Sequence, residues 1–323
     1  MTLSGGEPSI GLQGENLIFL ISQPRSGSSL LQRILSGHPE IYSTAEPWLM
    51  LHPIYALRNK GIKAEYDEGQ ARLALEDFCQ NLPGGEEDYI EGIRKMASHL
   101  YSQAMVGSGK KYFLDKTPRY YHVIPELRRI FPKAKFIFLV RNPLAVLNSI
   151  LKTWVGKNTD RLALFKSDLL SAPGSIAEGV QALGKQASVV PYEKLVCSPE
   201  ETVSHLAETL GIEFVPEMLE YGNHPVPEGR MGDPVRVHLH SSPVSDYSDT
   251  WVGKLVGSGG KDLALAYLSH LGPALLEDLG YPQSDLLEQL ESVSKVEEGA
   301  SPEGKGEYFR ILGFPRKETV GGR

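Results

Sequence analysis

Five segments of this chain carry the short apolar patterns of strands. Residues 16–22 (NLIFLIS) and Lys135–Val140 (KFIFLV) are apolar almost throughout, as strands buried on both faces of a parallel sheet are. KYFLDKTP at 111–118 reads as a strand ending in a charged loop, and ASVVPYEKLV at 187–196 as a strand running into a loop. EIYSTAEP at 40–47 reads as a short strand or extended segment. Between these runs the spacing turns helical. From Ser26 to Ser36, Leu30, Leu31, Ile34 and Leu35 share a face, and Gly37 is a stop. Residues 53–105 are mainly helical, with a break at Pro83-Gly84-Gly85. TPRYYHVIPELRRIFP (117–132) is a short helical crossover, and PLAVLNSILKTW (143–154) is a helix with Pro143 in its first turn. In SPEETVSHLAETLG (198–211), Ser198 is placed to cap a helix, Pro199 to open it and Gly211 to end it. DLALAYLSHLGPALLEDLGYP (262–282) predicts a helix pair.

Strands alternating with helices predict an α/β fold around a central parallel sheet flanked by helices. The expected organisation is a leader over 1–15, one domain over 16–291 and a polar tail over 292–323, with an apolar patch at Phe309–Phe314. Within the domain, 53–105 reads as a helical insert. Residues 221–250, rich in Pro, Gly, His and Asp without periodicity, read as a substrate lid.

Composition narrows the partners. A chain of 323 residues with 41% hydrophobic and 23% charged positions can bury a full core. Its net charge of -7 argues against nucleic acid. Two cysteines make no disulfide framework and no metal-ligating pair. No apolar run approaches about 18 residues and the first residues lack a signal-peptide pattern, so a soluble cytoplasmic protein is expected. Positive charge is concentrated: between Lys110 and Lys152 stand ten Lys or Arg against Asp115 and Glu126 alone. That segment is expected to serve an anionic ligand.

The chemistry centres on SQPRSGSS (22–29), between a buried strand and a helix. Ligands of open α/β sheets bind at this end of the strands. Gly27 permits close backbone approach, and the first amides of the helix offer aimed donors. Ser26, Ser28 and Ser29 add hydroxyls, and Arg25 adds a charged donor. The plainer reading is a strand-to-helix turn with a serine cap. A second grip follows the strand KFIFLV, where Arg141 leaves its end and Ser149 lies two helical turns on; a surface ion pair is the rival reading. GSGKK (107–111) imitates the end of a Walker loop, but it precedes a strand and has Lys where a magnesium-holding Ser or Thr belongs, so it is a loop.

PRSGSS after one buried strand and RNPLAVLNS after another resemble the nucleotide-binding pair of sulfotransferases that use 3'-phosphoadenosine 5'-phosphosulfate (PAPS). The likeness continues through GHPEIYSTAEP, FLDKTPRYYHVIPELRRIFPKAKFIFLVRNP, VPYEKLVCSPEETVSHLAETLGI, GDPVRVHLHSSP and DTWVGKL, covering about residues 17–281. The pattern is that of bacterial sulfotransferases, including those in polyketide modules, and of the tyrosylprotein branch. The resemblance implies a P-loop-like fold in which the loop 25–29 holds the 5'-phosphosulfate and Arg141 and Ser149 hold the 3'-phosphate. It places Tyr192 and Lys254 against the nucleotide. Glu46 matches the catalytic glutamate of the tyrosylprotein branch, and Lys116 the lysine that approaches the bridging oxygen. His240, or its neighbour His238, is the rival base. Arg25 and Lys116 supply cationic charge, and no metal is implied. Asp249 stands where the tyrosylprotein pattern has a serine, a departure that weighs against a protein-tyrosine acceptor. The expected acceptor is a hydroxyl-bearing small molecule or a carrier-tethered acyl chain, and the expected product is 3',5'-ADP. A P-loop-like kinase would need a magnesium ligand after a lysine, which is not evident. A non-catalytic nucleotide-binding protein would need no combination of Glu46, Lys116 and His240.

Overall fold

The computed structural model of the chain describes residues 9–58, 61–223, 231, 242–243, 252, 255, 260–293 and 305–315. Its frame is one sheet of five parallel strands: β1 (Leu17–Ser22), β2 (Ile41–Ser43), β3 (Tyr112–Lys116), β4 (Lys135–Val140) and β5 (Ala187–Pro191), in the order β2-β3-β1-β4-β5. The register sets Phe19 of β1 beside Asp115 of β3 and Phe136 of β4. All six residues of β1 and five of the six of β4 are buried, which is why both read as unbroken apolar runs.

The helices are α1 (Ser28–Ser36), α2 (Leu51–Tyr55), α3 (Glu68–Gln80), α4 (Glu86–Met105), α5 (Ile124–Ile130), α6 (Pro143–Ile150), α7 (Lys166–Leu170), α8 (Ala172–Leu183), α9 (Tyr192–Cys197), α10 (Pro199–Leu210), α11 (Lys261–Leu271), α12 (Pro273–Asp278), α13 (Gln283–Val293) and α14 (Lys305–Leu312). Side chains alternate across each strand, so the sheet has two cores. Phe19, Phe136 and Phe138 pack with α4 and α5 on one face. Ile18, Leu20, Ile137 and Leu139 pack with α1 and α10 on the other. A third cluster joins Leu144, Leu147 and Ile150 of α6 to α11 and α13.

Several boundaries depart from the sequence pattern for local reasons. α1 begins at Ser28 because Gly27 takes a left-handed N-cap conformation, φ 99°. The helix expected through Trp154 keeps α-form only to Ile150, then widens into a π turn, Leu151–Val155. The expected loop after β5 winds into α9. Ser198 precedes α10 without a side-chain cap bond; its carbonyl instead accepts from the Thr202 hydroxyl. Gly211 does end that helix, at φ 64°. From the expected tail, α14 docks onto the third cluster, burying Leu312 and Phe314.

Chain direction places the site. After β1 the chain passes to the β2 side of the sheet, and after β4 it passes to β5 on the other side. The carboxyl ends of β1 and β4 therefore flank a topological switch point, where such sheets bind ligands. Among the described residues no helix is long and apolar enough to cross a membrane.

Candidate functional site

Each strand contributes a polar group at or just beyond its carboxyl end. In sheet order these are Glu46 after β2, Lys116 ending β3, the loop 23–28 after β1, Arg141 after β4 and Tyr192 after β5. Adjacent strands lie about 4.8 Å apart, so a row some 20 Å long is laid out by the sheet itself.

The loop after β1 is shaped by its neighbours. At Gly27 an added Cβ would lie 2.5 Å from the Tyr192 ring, so only glycine fits both the space and the left-handed backbone. The Arg141 guanidinium lies over the same Tyr192 ring at 4.1 Å and donates from Nη1 to the Arg25 carbonyl at 3.1 Å. Arg25 Nε reaches the Ser149 hydroxyl at 3.3 Å, which brings the two expected anion grips into contact. Among the described residues, the Ser26 hydroxyl and Arg141 Nε are buried without a hydrogen-bond partner. Buried donors of this kind are costly unless a ligand accepts from them. Together with the first amides of α1, they suit phosphate or sulfate oxygens.

Beside this cradle stands an ion pair. Lys116 is 1% exposed, and its Nζ lies 2.6 Å from Glu46 Oε1 and 3.5 Å from the Ser29 hydroxyl. A pairing with the adjacent Asp115 does not form, because strand alternation sends Asp115 to the opposite face. There Asp115 accepts from the hydroxyls of Tyr101 (2.6 Å), Tyr120 (2.9 Å) and Thr117 (2.8 Å). Burial pushes the Asp115 carboxyl up to about 6, against those three hydrogen bonds, which pull it down. The Tyr120 hydroxyl also accepts the Met50 amide, tying this network to the end of the loop that bears Glu46.

Four residues near the site carried no readable signal. Trp48 donates from its indole to Glu46 Oε2 at 3.1 Å. Arg119 binds the buried Asp168 carboxylate through two nitrogens, at 3.0 and 2.6 Å, and its guanidinium lies over Trp48 and Trp154. The Arg119–Asp168 pair spans 49 positions, a separation no local pattern reveals. The cationic segment 110–152 is also divided. Lys116, Arg119 and Arg141 reach the site, whereas Lys110, Lys111, Lys133 and Lys135 precede or begin strands and lie at the sheet's other end. Arg129 on α5 is taken up by Glu86 and Glu87.

His38 lies in the turn between α1 and β2, at the opposite end of the sheet from the loop 22–29: its Nδ1 accepts from the Glu40 amide, so Nε2 donates to the Glu213 carbonyl. The GSGKK segment is a turn before β3, as its position implies. His238, His240, Asp249 and Lys254, with most of the expected lid, lie outside the described residues.

A parallel sheet with a serine-rich, lysine-free loop at its switch point defines a P-loop-like α/β protein. This chain belongs to the sulfotransferase family, whose model matches residues 17–216. It is 33% identical over 216 residues to the nodulation protein NoeE of Sinorhizobium fredii, a match that covers 60% of this chain and half the length of NoeE. It is 26% identical over 280 residues to protein-tyrosine sulfotransferase 2 of Gallus gallus, covering 82% of this chain and 69% of that one. The solved sulfotransferase domain of the Synechococcus PCC 7002 olefin synthase superposes with a TM-score of 0.51 at 26% identity, over 73% of this chain and 86% of that domain.

Proposed function

We propose that this protein transfers a sulfuryl group from PAPS to a hydroxyl acceptor by in-line displacement, releasing 3',5'-ADP. The observation that carries this reading is the order of groups along the strand ends. The Glu46–Lys116 pair lies on one side of a cradle whose buried Ser26 hydroxyl and Arg141 Nε await acceptors.

Roles follow from that order. Ser26, Ser28, Ser29, the Gly27 backbone and the start of α1 hold the 5'-phosphosulfate. Arg141 and Ser149 hold the 3'-phosphate, with Tyr192 and Lys254 against the nucleotide. PAPS supplies a sulfuryl group on a phosphate leaving group. Arg25 places positive charge beside the transferring oxygens, and Lys116 places it beside the leaving oxygen. A sulfuryl group carries less negative charge than a phosphoryl group, so these cations can serve without a metal. Glu46 takes the acceptor's proton, and the hydrogen bonds from Lys116 and Trp48 hold its two oxygens in place. His240 is the rival base; Glu46→Gln and His240→Ala variants separate the two.

The acceptor we favour is a hydroxyl-bearing small molecule or a β-hydroxyacyl chain tethered to a carrier. The likeness to a domain from an olefin synthase supports the second, because sulfation would turn the β-hydroxyl into a leaving group for elimination. A cytoplasmic location belongs to the same reading and is tested by cell fractionation. The activity is tested by incubating the protein with labelled PAPS and a panel of alcohols, oligosaccharides, tyrosine peptides and β-hydroxyacyl thioesters. Labelled product with equimolar 3',5'-ADP is expected. Binding of ATP with magnesium in place of PAPS contradicts it.

A further inference from the structure

Two non-glycine residues among those described adopt a left-handed backbone, Arg25 at φ 74° and Trp48 at φ 52°. They occupy different loops, after β1 and after β2, on strands separated by β3. Such strain persists only where the surroundings over-determine it, and it gathers at functional sites.

Side chains connect the two positions. Trp48 Nε1 donates to Glu46 Oε2 at 3.1 Å, while Lys116 holds the other oxygen. The Arg119 guanidinium lies 5.5 Å from the Trp48 ring centroid and 6.0 Å from that of Trp154. The Arg25 guanidinium lies 5.4 Å from the same Trp154 centroid, and its Nε reaches Ser149. Arg119 is locked by Asp168, which is 2% exposed and also accepts from the Tyr121 hydroxyl at 2.8 Å. Trp154 stands in the π turn after α6, the helix that bears Ser149; one such turn rotates every later side chain relative to an α-helix. Two strained loops, a π turn and a half-buried ion pair thus converge on one run of contacts, from the carboxylate to the expected anion grip.

We propose that Trp48, Arg119 and Trp154 are positioning residues, an aromatic–guanidinium array that sets the Glu46 carboxylate at a fixed place relative to Arg25. The inference rests on the roles given above to Glu46 and Arg25. Its consequence is alignment of acceptor deprotonation with the charge on the transferring group, where a displacement of about 1 Å can cost roughly 100-fold in rate.

The test compares Trp154→Leu, Trp154→Phe and Trp48→Phe with the parent protein. Steady-state turnover of PAPS is measured with water alone and with the best hydroxyl of the panel, 3',5'-ADP affinity by calorimetry, and folding by thermal melting. Trp154→Leu removes the ring between the two guanidiniums and should lower kcat roughly 10- to 100-fold. Its 3',5'-ADP affinity should stay within about threefold, and Trp154→Phe should recover most of kcat. Trp48→Phe keeps a ring for Arg119 but loses the donor to Glu46, and should lower kcat roughly tenfold. Because both act through one carboxylate, the Trp48→Phe/Trp154→Leu double variant should lose less than the product of the single losses. An unchanged kcat in folded Trp154→Leu, or strictly multiplicative losses, overturns the array. Equal loss of kcat and nucleotide affinity without rescue by Phe also overturns it, showing a structural role. A parent protein that binds 3',5'-ADP but turns over no PAPS, even with water, overturns the functional reading instead.

Discussion

Replacing Asp115 by asparagine should flatten the pH dependence of stability in a calculable way. The carboxyl is fully buried, and desolvation lifts it from an ordinary 3.8 to about 6 despite three hydroxyl donors. A change of that size corresponds to about 3 kcal/mol of stability. Between these two values the native state holds the proton while the unfolded chain releases it. The contribution is therefore complete below about pH 3.8 and is lost as pH rises through about 6. Integrating the linkage from pH 4.5 to 8 leaves about 2 kcal/mol of that loss within a convenient range. Asparagine preserves the shape: its carbonyl can accept from Tyr101 and Tyr120, and its amide can face the Thr117 hydroxyl, which turns to accept. Urea unfolding of both proteins at several pH values isolates the group, because the other carboxylates cancel in the difference. The variant should gain about 2 kcal/mol relative to the parent from pH 4.5 to 8. A difference that stays flat, or that falls with pH, refutes the assignment of Asp115 as a buried carboxyl with a raised pKa.

Three further outcomes probe the site. Arg141→Met removes a charged donor from the cradle and should weaken 3',5'-ADP binding roughly 10- to 100-fold by calorimetry, with little change in melting temperature. Gly27→Ala forces an L-residue into φ 99° and a Cβ against Tyr192; the backbone alone costs roughly 1–2 kcal/mol, and calorimetry should show nucleotide affinity reduced at least about tenfold. Glu46→Gln keeps an acceptor for Lys116 and Trp48 but not a base; stopped-time assays should show kcat reduced roughly 100-fold or more, with 3',5'-ADP affinity within about threefold.

The strands β1 and β4 were legible because burial on both faces leaves a local mark. KFIFLV predicts β4 with the bounds it has, and Pro143 correctly opens α6. Features set by a single residue's environment were not. Gly27 delays α1 by its left-handed turn, and nothing in LKTWV distinguishes a π turn from another α-turn. The sequence placed Arg25, Lys116, Arg141 and Tyr192 at strand ends, and the parallel sheet then gathers them. It could not reveal that Lys116 meets Glu46, that Trp48 and Arg119 surround that pair, or that Asp168 holds Arg119. These contacts join segments far apart in the chain, which periodicity does not record. The same holds for charge: ten cations in one segment look like one patch, yet the strands β3 and β4 carry some to each end of the sheet.

The most direct measurement of the central claim is the fate of sulfur from PAPS labelled in its sulfuryl group. The label should move to a hydroxyl of the acceptor panel with release of an equal amount of 3',5'-ADP, and Glu46→Gln should slow the transfer roughly 100-fold or more while still binding the nucleotide. Tight binding of 3',5'-ADP with no transfer to any acceptor or to water would contradict it.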